Sequence, residues 1–149
     1  MKTDQRLWRT LHVLIHMSHH PAPLTSQTLA KMLNTNAVVV RRTLACLREK
    51  QLIQAEKGHG GGWILIKPLH QISLREIYDA LGEPTILHFT PESNLPGCLV
   101  EKAVNQALDK VLQEAHNLVL ERFESLTLAH IEQDFQTLLQ STAAGVIAG

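Results

Sequence analysis

Residues 24–68 read LTSQTLAKMLNTNAVVVRRTLACLREKQLIQAEKGHGGGWILIKP, and this stretch limits the possible folds more than any other. Leu29, Met32 and Leu33 recur at helical spacing. Before them stand Thr25 and Ser26, either of which can offer the side-chain oxygen that accepts a free amide at a helix start. Asn34, Thr35 and Asn36 break that helix, and Thr35 or Asn36 can cap the next. At about 100° per residue, Ala37, Val40, Leu44 and Leu47 share the core face of a second helix over residues 37–50. Two short apolar runs follow: Leu52, Ile53 and Ala55, then Trp63, Ile64, Leu65 and Ile66. Between them lies Lys57-Gly58-His59-Gly60-Gly61-Gly62, whose glycines permit positive φ and close backbone approach to another molecule. Helix, tight turn, helix and glycine-tipped hairpin predict a mainly α fold with a small β-hairpin wing. That winged helix-turn-helix is a shape that fits the DNA major groove.

The face of the second helix opposite its core carries Val38, Arg42, Ala45 and Glu49, flanked by Val39, Arg41 and Cys46. Arg41 and Arg42 near a helix start work against the helix dipole, which favours anions there. A phosphate or a guanine edge as partner resolves that conflict. Two adjacent arginines are more often a solvated charged face, and it is the wing beside them that favours DNA. The candidate DNA contacts are Thr25, Ser26, Asn36, Val38, Val39, Arg41, Arg42 and Thr43, with Lys57, Gly58, His59, Gly60 and Gly61 of the wing. The wing tip is suited to a minor groove or to the phosphates along it. The glycine run is not a phosphate-cradling loop, because no Lys-Ser/Thr and no helix follow it.

LTSQTLAKMLNTNAVVVRRTLACLREKQLI, the wing KGHGGGW, the following ISLREIYDALGEP and the later SLTLAHI cover most of the chain. Together they resemble the Rrf-type family of small bacterial winged-helix regulators, which includes iron–sulfur and nitric-oxide sensors. The family form of the wing is Arg-Gly-Pro-x-Gly-Gly-Tyr. Here Lys57, His59 and Trp63 replace the Arg, Pro and Tyr, while Gly58, Gly61 and Gly62 hold. Lys57 keeps the charge but loses the planar fork of arginine. The resemblance implies a homodimer formed through a long helix. It also implies, for cluster-binding members, three closely spaced cysteines in the loop before that helix. Only Cys98 stands there, matching the last of the three, so the expectation is a member without a cysteine-ligated cluster and without any cofactor. His88 is the one conceivable substitute ligand. Some cluster-free relatives sense oxidants through thiols, which makes Cys98 a candidate redox residue. Its place before a helix N-terminus favours the thiolate. A small loop or interface residue with no sensing role is an equal alternative. Cys46 reads as structural.

The net charge is zero, yet residues 1–70 carry ten Lys and Arg against three Asp and Glu, whereas residues 71–149 carry four against eleven. The first part is therefore the nucleic-acid side. No apolar run approaches the length of a membrane span, and the polar, then amphipathic start lacks the apolar core and cleavage site of a signal peptide. A cytoplasmic protein with reduced thiols is expected.

Leu7, Trp8, Leu11, Leu14 and Ile15 predict an opening amphipathic helix, joined to the helix-turn-helix by Pro21-Ala22-Pro23. His12, His16, His19 and His20 have metal-like spacing but no cysteine or carboxylate nearby in sequence, and read as surface or semi-buried histidines. Ser73 and Glu76 suggest a capping box, and Gly82 and Pro84 a helix end. The chain then divides into a winged helix-turn-helix domain (1–82), a loop (83–98) as possible sensing segment, and the dimerisation and C-terminal helices (99–149). Val100, Val104, Ala107, Leu108, Val111, Leu112, Ala115, Leu118 and Val119 form one broad apolar face on a helix over residues 99–122. A second copy would cover it most simply. Thr127 caps a last helix carrying Ile131, Phe135, Leu138 and Leu139, with fraying expected over residues 141–149.

No catalytic serine elbow, paired zinc cysteines or nucleotide loop is present in the sequence. The expectation is a homodimeric repressor on a near-palindromic double-stranded operator. A metal or cluster sensor, and a winged helix used only for protein assembly, are the alternatives.

Overall fold

The computed structural model describes residues 4–87 and 97–147, with side chains to residue 143. Helix α1 (Arg6–Ser18) leads to α2 (Ser26–Met32) and α3 (Ala37–Glu49), then to the antiparallel strands β1 (Ile53–Glu56) and β2 (Gly62–Leu65). A short 3-10 turn (Leu69–Gln71) precedes α4 (Leu74–Ala80), α5 (Leu99–Ser125) and α6 (Leu128–Ile147). The fold is a winged helix-turn-helix with two further helices. Most of the loop expected over residues 83–98, His88 included, lies outside the described residues.

Local chemistry sets the helix ends. Thr25, not Ser26, caps α2, accepting from the Thr28 amide at 3.1 Å. Asn36 caps α3, accepting from the Val38 amide at 2.7 Å. Between them α2 closes on Asn34, which has φ +49°. The Thr35 amide then donates back to the Ala30 carbonyl and the Asn34 amide to Lys31. Asparagine tolerates this left-handed cap because its short polar side chain fits there. Helix α4 carries the full capping box, with the Glu76 amide donating to Ser73 Oγ and the Ser73 amide to Glu76 Oε2, each at 3.1 Å.

One core joins the elements. Leu29 of α2, Val40, Leu44 and Leu47 of α3, Leu52, Ile53 and Trp63 of the hairpin, and Ile72, Ile77 and Leu81 around α4 are all buried. The hairpin pairs Ile53 with Leu65 and Ala55 with Trp63. Its far side is pinned by Leu24, whose amide and carbonyl both bond to Trp63, at 3.1 and 2.8 Å. The wing is thus braced by the chain segment just ahead of α2.

Helix α1 sits in a different phase from the expected one. Thr10, Val13, Leu14 and Met17 form its buried face, Leu7, Leu11 and Ile15 are half-buried, and Trp8 is 63% exposed. Thr10 can enter the core because its hydroxyl donates to the Arg6 carbonyl at 2.7 Å, which removes the cost of burying it unpaired.

The C-terminal segment shares this core. Leu128 is fully buried, and a backbone clip holds it: Leu74 N–H donates to Leu126 O and Leu128 N–H to Ile72 O, both at 2.9 Å. Tyr78 of α4 meets Phe123 of α5 edge-on, with centroids 5.9 Å apart. Burial, followed by the nearby Glu83 charge, pushes the Tyr78 phenol up. Helix α6 does not fray where expected but runs to Ile147; the Ser141 and Thr142 hydroxyls donate to the Leu138 carbonyl inside it. His130 reaches back so that its Nδ1 accepts from the Thr127 amide at 3.0 Å, taking the part of a capping-box glutamate.

Candidate nucleic-acid interface

Helix α3 turns Val40, Leu44 and Leu47 inward, and this fixes which residues face out. Val38 (56% exposed), Val39, Arg41 and Arg42 stand in solvent, and Thr43 is half-buried on the flank. Among the described residues, neither arginine has a carboxylate within ion-pair distance. An exposed pair of valines beside two unpaired guanidiniums is poor design for water alone. It suits a groove where the apolar groups can meet thymine methyls and the guanidiniums phosphates or guanine. Asn36 is also exposed; its Oδ1 is held by the α3 cap, which leaves its amide N–H groups free to donate outward.

The wing root and the helix-turn-helix enclose a shallow cleft lined by Thr25, Ser26, Gln27, Arg41, Ala55, Glu56, Gly62 and Trp63. The structure therefore brings Thr25 and Arg41 together with the hairpin. Ser26 is different. It is 8% exposed, and its hydroxyl accepts from the Trp63 indole N–H at 2.9 Å. The tryptophan that replaces the family tyrosine brings an indole N–H that needs a buried acceptor, and Ser26 supplies it, so this hydroxyl is engaged inside the fold.

Lys57, Gly58, His59 and Gly60 form the exposed tip. Gly58 and Gly60 adopt φ of +93° and +78° with open space around them. Gly61 and Gly62 serve the wing itself. A Cβ on Gly61 would lie 2.3 Å from the Glu56 carbonyl, and one on Gly62 2.6 Å from the Leu24 carbonyl. The close backbone approach expected from the glycine run is, at these two positions, internal.

Gln27 and Glu56 were not legible as site residues. Gln27 carried a faint signal, lying in the first exposed turn after a cap. Glu56 carried none, because its place in the cleft depends on the hairpin register that sets it opposite Gly62.

The cysteines are both free and half-buried. Cys46 Sγ lies 3.5 Å from the Arg42 carbonyl, within α3. Cys98 occupies the N-cap position of α5 without a side-chain capping bond. Among the described residues no three His, Cys, Asp or Glu side chains converge as a metal site. Of the α1 histidines, His16 is held below the usual imidazole range by burial and then by His12. His19 meets Glu132 of α6 at 2.8 Å. No described helix is long and apolar enough to cross a membrane.

Comparison with known proteins agrees with this geometry. YwnA of Bacillus subtilis (strain 168), named as an HTH-type transcriptional regulator, is 28% identical over 128 residues, 86% of this chain and 95% of its own. A structure described as a transcriptional regulator from Lactobacillus plantarum superposes with a TM-score of 0.71 at 22% identity, covering 95% of this chain and 98% of that one. T. potens IscR superposes with a TM-score of 0.66 at 18% identity, covering 90% and 88%. The profile of the family described as Rrf2, iron-dependent transcriptional regulator, matches residues 3–134. With that match across the helix-turn-helix, the wing and the long helix, the chain belongs to the Rrf2 family, a family of transcriptional regulators and not of enzymes.

Proposed function

We propose that this protein binds a near-palindromic operator as a homodimer and represses transcription in the cytoplasm. Each protomer places α3 in a major groove, with half-sites about 34 Å apart or a multiple of it. The wing tips, residues 57–60, lie along the flanking minor grooves. The observation that carries this reading is the exposed basic face of α3, Arg41 and Arg42 beside Val38 and Val39, unpaired among the described residues. Occupying an operator in this way blocks the transcription machinery by exclusion, which is why repression is the simplest outcome.

Helix α5 supports the dimer. None of its residues is buried, and Leu99 is 79% exposed. Val104, Leu108, Val111, Ala115 and Leu118 follow at alternating steps of four and three, the seam of a coiled coil. On this reading residues 1–82 grip DNA and residues 99–149 pair the copies.

The experiment is operator binding against salt. Arg41, Arg42 and Lys57 from two protomers are six cations, for which log K should fall with log salt at a slope of about −5. A slope near zero, or no binding in dilute buffer, refutes the reading and favours a protein-assembly module.

Cys98 extends the proposal to redox control. Its free thiol sits at the head of α5, next to exposed Leu99 and the apolar seam. Oxidation by a peroxide to a sulfenic acid adds a polar oxygen there and would alter how the two copies meet. Cys98→Ser should leave operator affinity intact and abolish oxidant-induced release. Unchanged release in that variant would end the thiol-switch reading while leaving DNA binding untouched.

A further inference from the structure

We propose that His12 and His16 of α1 form a two-histidine site for a tetragonal divalent transition-metal ion, Cu²⁺ or Ni²⁺. On spacing alone these side chains read as surface or semi-buried histidines. The structure adds a distance. Residues four apart share a helix face, and the two Nε2 atoms stand 3.0 Å from one another, with ring centroids 4.7 Å apart and planes inclined by 36°.

The distance discriminates between metals. For an ion about 2.0–2.1 Å from each nitrogen, a 3.0 Å separation subtends about 91–97° at the metal. A tetrahedral angle would need the nitrogens about 3.4 Å apart. The pair therefore matches two adjacent corners of a square-planar or octahedral ion as it stands, whereas a tetrahedral ion needs the rings to part by about 0.4 Å. Without an ion, one ring N–H donates to the other ring's nitrogen across the same gap. Uptake moves that proton to the donor ring's Nδ1, so both imidazoles stay neutral and no proton is released.

The surroundings set the strength and the limits of the site. Trp8 packs on His12 edge-on, centroids 5.2 Å apart, and restricts the ring. His12 Nδ1 has no hydrogen-bond partner among the described residues, so no acceptor fixes the tautomer that a metal needs. Loss of such an acceptor typically costs about 10–100-fold in affinity, so the pair binds more weakly than one whose rings are both anchored. His19, a turn further on, is engaged by Glu132 and does not join the pair. Water completes the coordination. The site stands independently of DNA binding.

The test is titration of metal-free, full-length protein with Cu²⁺ and with Ni²⁺, read by visible d–d absorption and by Tm. One ion per chain should bind and raise Tm. His12→Gln and His16→Gln should each weaken binding about tenfold or more, while His20→Gln should not. Melting curves in EDTA establish that the variants fold. In the unaltered protein, substoichiometric Cu²⁺ should broaden the ring-proton signals of His12 and His16 before those of the other histidines, a readout that needs no variant. Equal affinity in both variants, earlier broadening elsewhere, or zinc bound more tightly than nickel would overturn the assignment.

Discussion

Val111→Glu tests the pairing of two copies where the seam is most sensitive. Helix α5 runs Leu99–Ser125, and an antiparallel two-fold pairing centred on it puts Val111 next to the axis, facing its own mate. Val111 is 61% exposed in the single chain. A valine side chain is worth about 1.5–3 kcal/mol on full burial, so covering this fraction contributes about 1–2 kcal/mol per copy. The substitution removes that twice and sets two carboxylates about 6 Å apart, which at an effective dielectric of about 20 adds nearly 3 kcal/mol of repulsion. The total, about 5–7 kcal/mol, corresponds to roughly four to five powers of ten in the dimer Kd. Sedimentation velocity over a concentration series reads this directly. Circular dichroism should be unchanged, because Val111 contributes nothing to the buried core. Gln113→Glu, exposed and off the seam, is the control. An unaltered dimer constant for Val111→Glu, or equal weakening by the control, would refute the reasoning.

Arg42→Ala should lower specific operator affinity by about 1–3 kcal/mol if the guanidinium reads a guanine. Competition against a scrambled duplex decides: equal weakening on both sequences reassigns it to phosphate. Ser26→Ala strips the buried Trp63 indole of its acceptor and should cost about 1–3 kcal/mol in urea unfolding, with the salt slope of DNA binding unchanged. Weaker operator binding by the folded variant would place Ser26 in the interface. Gly62→Ala drives a methyl into the Leu24 carbonyl and should destabilise by more than about 1 kcal/mol, by the same measurement. Leu128→Ala should cost about 2–5 kcal/mol, since its side chain is fully buried in the shared core; a loss below that range would mean the clip matters less than its geometry suggests.

The helix-turn-helix and wing were legible because they rest on local rules. Asn36 caps, Val40, Leu44 and Leu47 repeat at helical period, and glycines punctuate the hairpin. What escaped rests on contacts distant in sequence. Ser26 looks like a surface cap residue until Trp63, thirty-seven positions later, is seen donating to it. The α1 core face was misphased because Thr10 counts as polar in a periodicity and is apolar in effect once its hydroxyl is bonded within the helix. Helix α3 ends at Glu49, and the chain turns away at Gln51 with φ +57°, where neither glycine nor asparagine announces the turn. The α5 face was readable from the sequence because its residues recur at helical period, and among the described residues none of them is buried.

The clip between Leu126–Leu128 and the ends of Ile72–Leu74 has a mechanical consequence for a paired assembly. It welds the rod to the reading head without a slack joint, so the rod acts as a gauge. In the proposed dimer, two heads so mounted should engage only those sites whose spacing matches its length and phase. Inserting about half a helical turn of duplex between the half-sites, five base pairs, would rotate the second groove to the far side and leave one head idle.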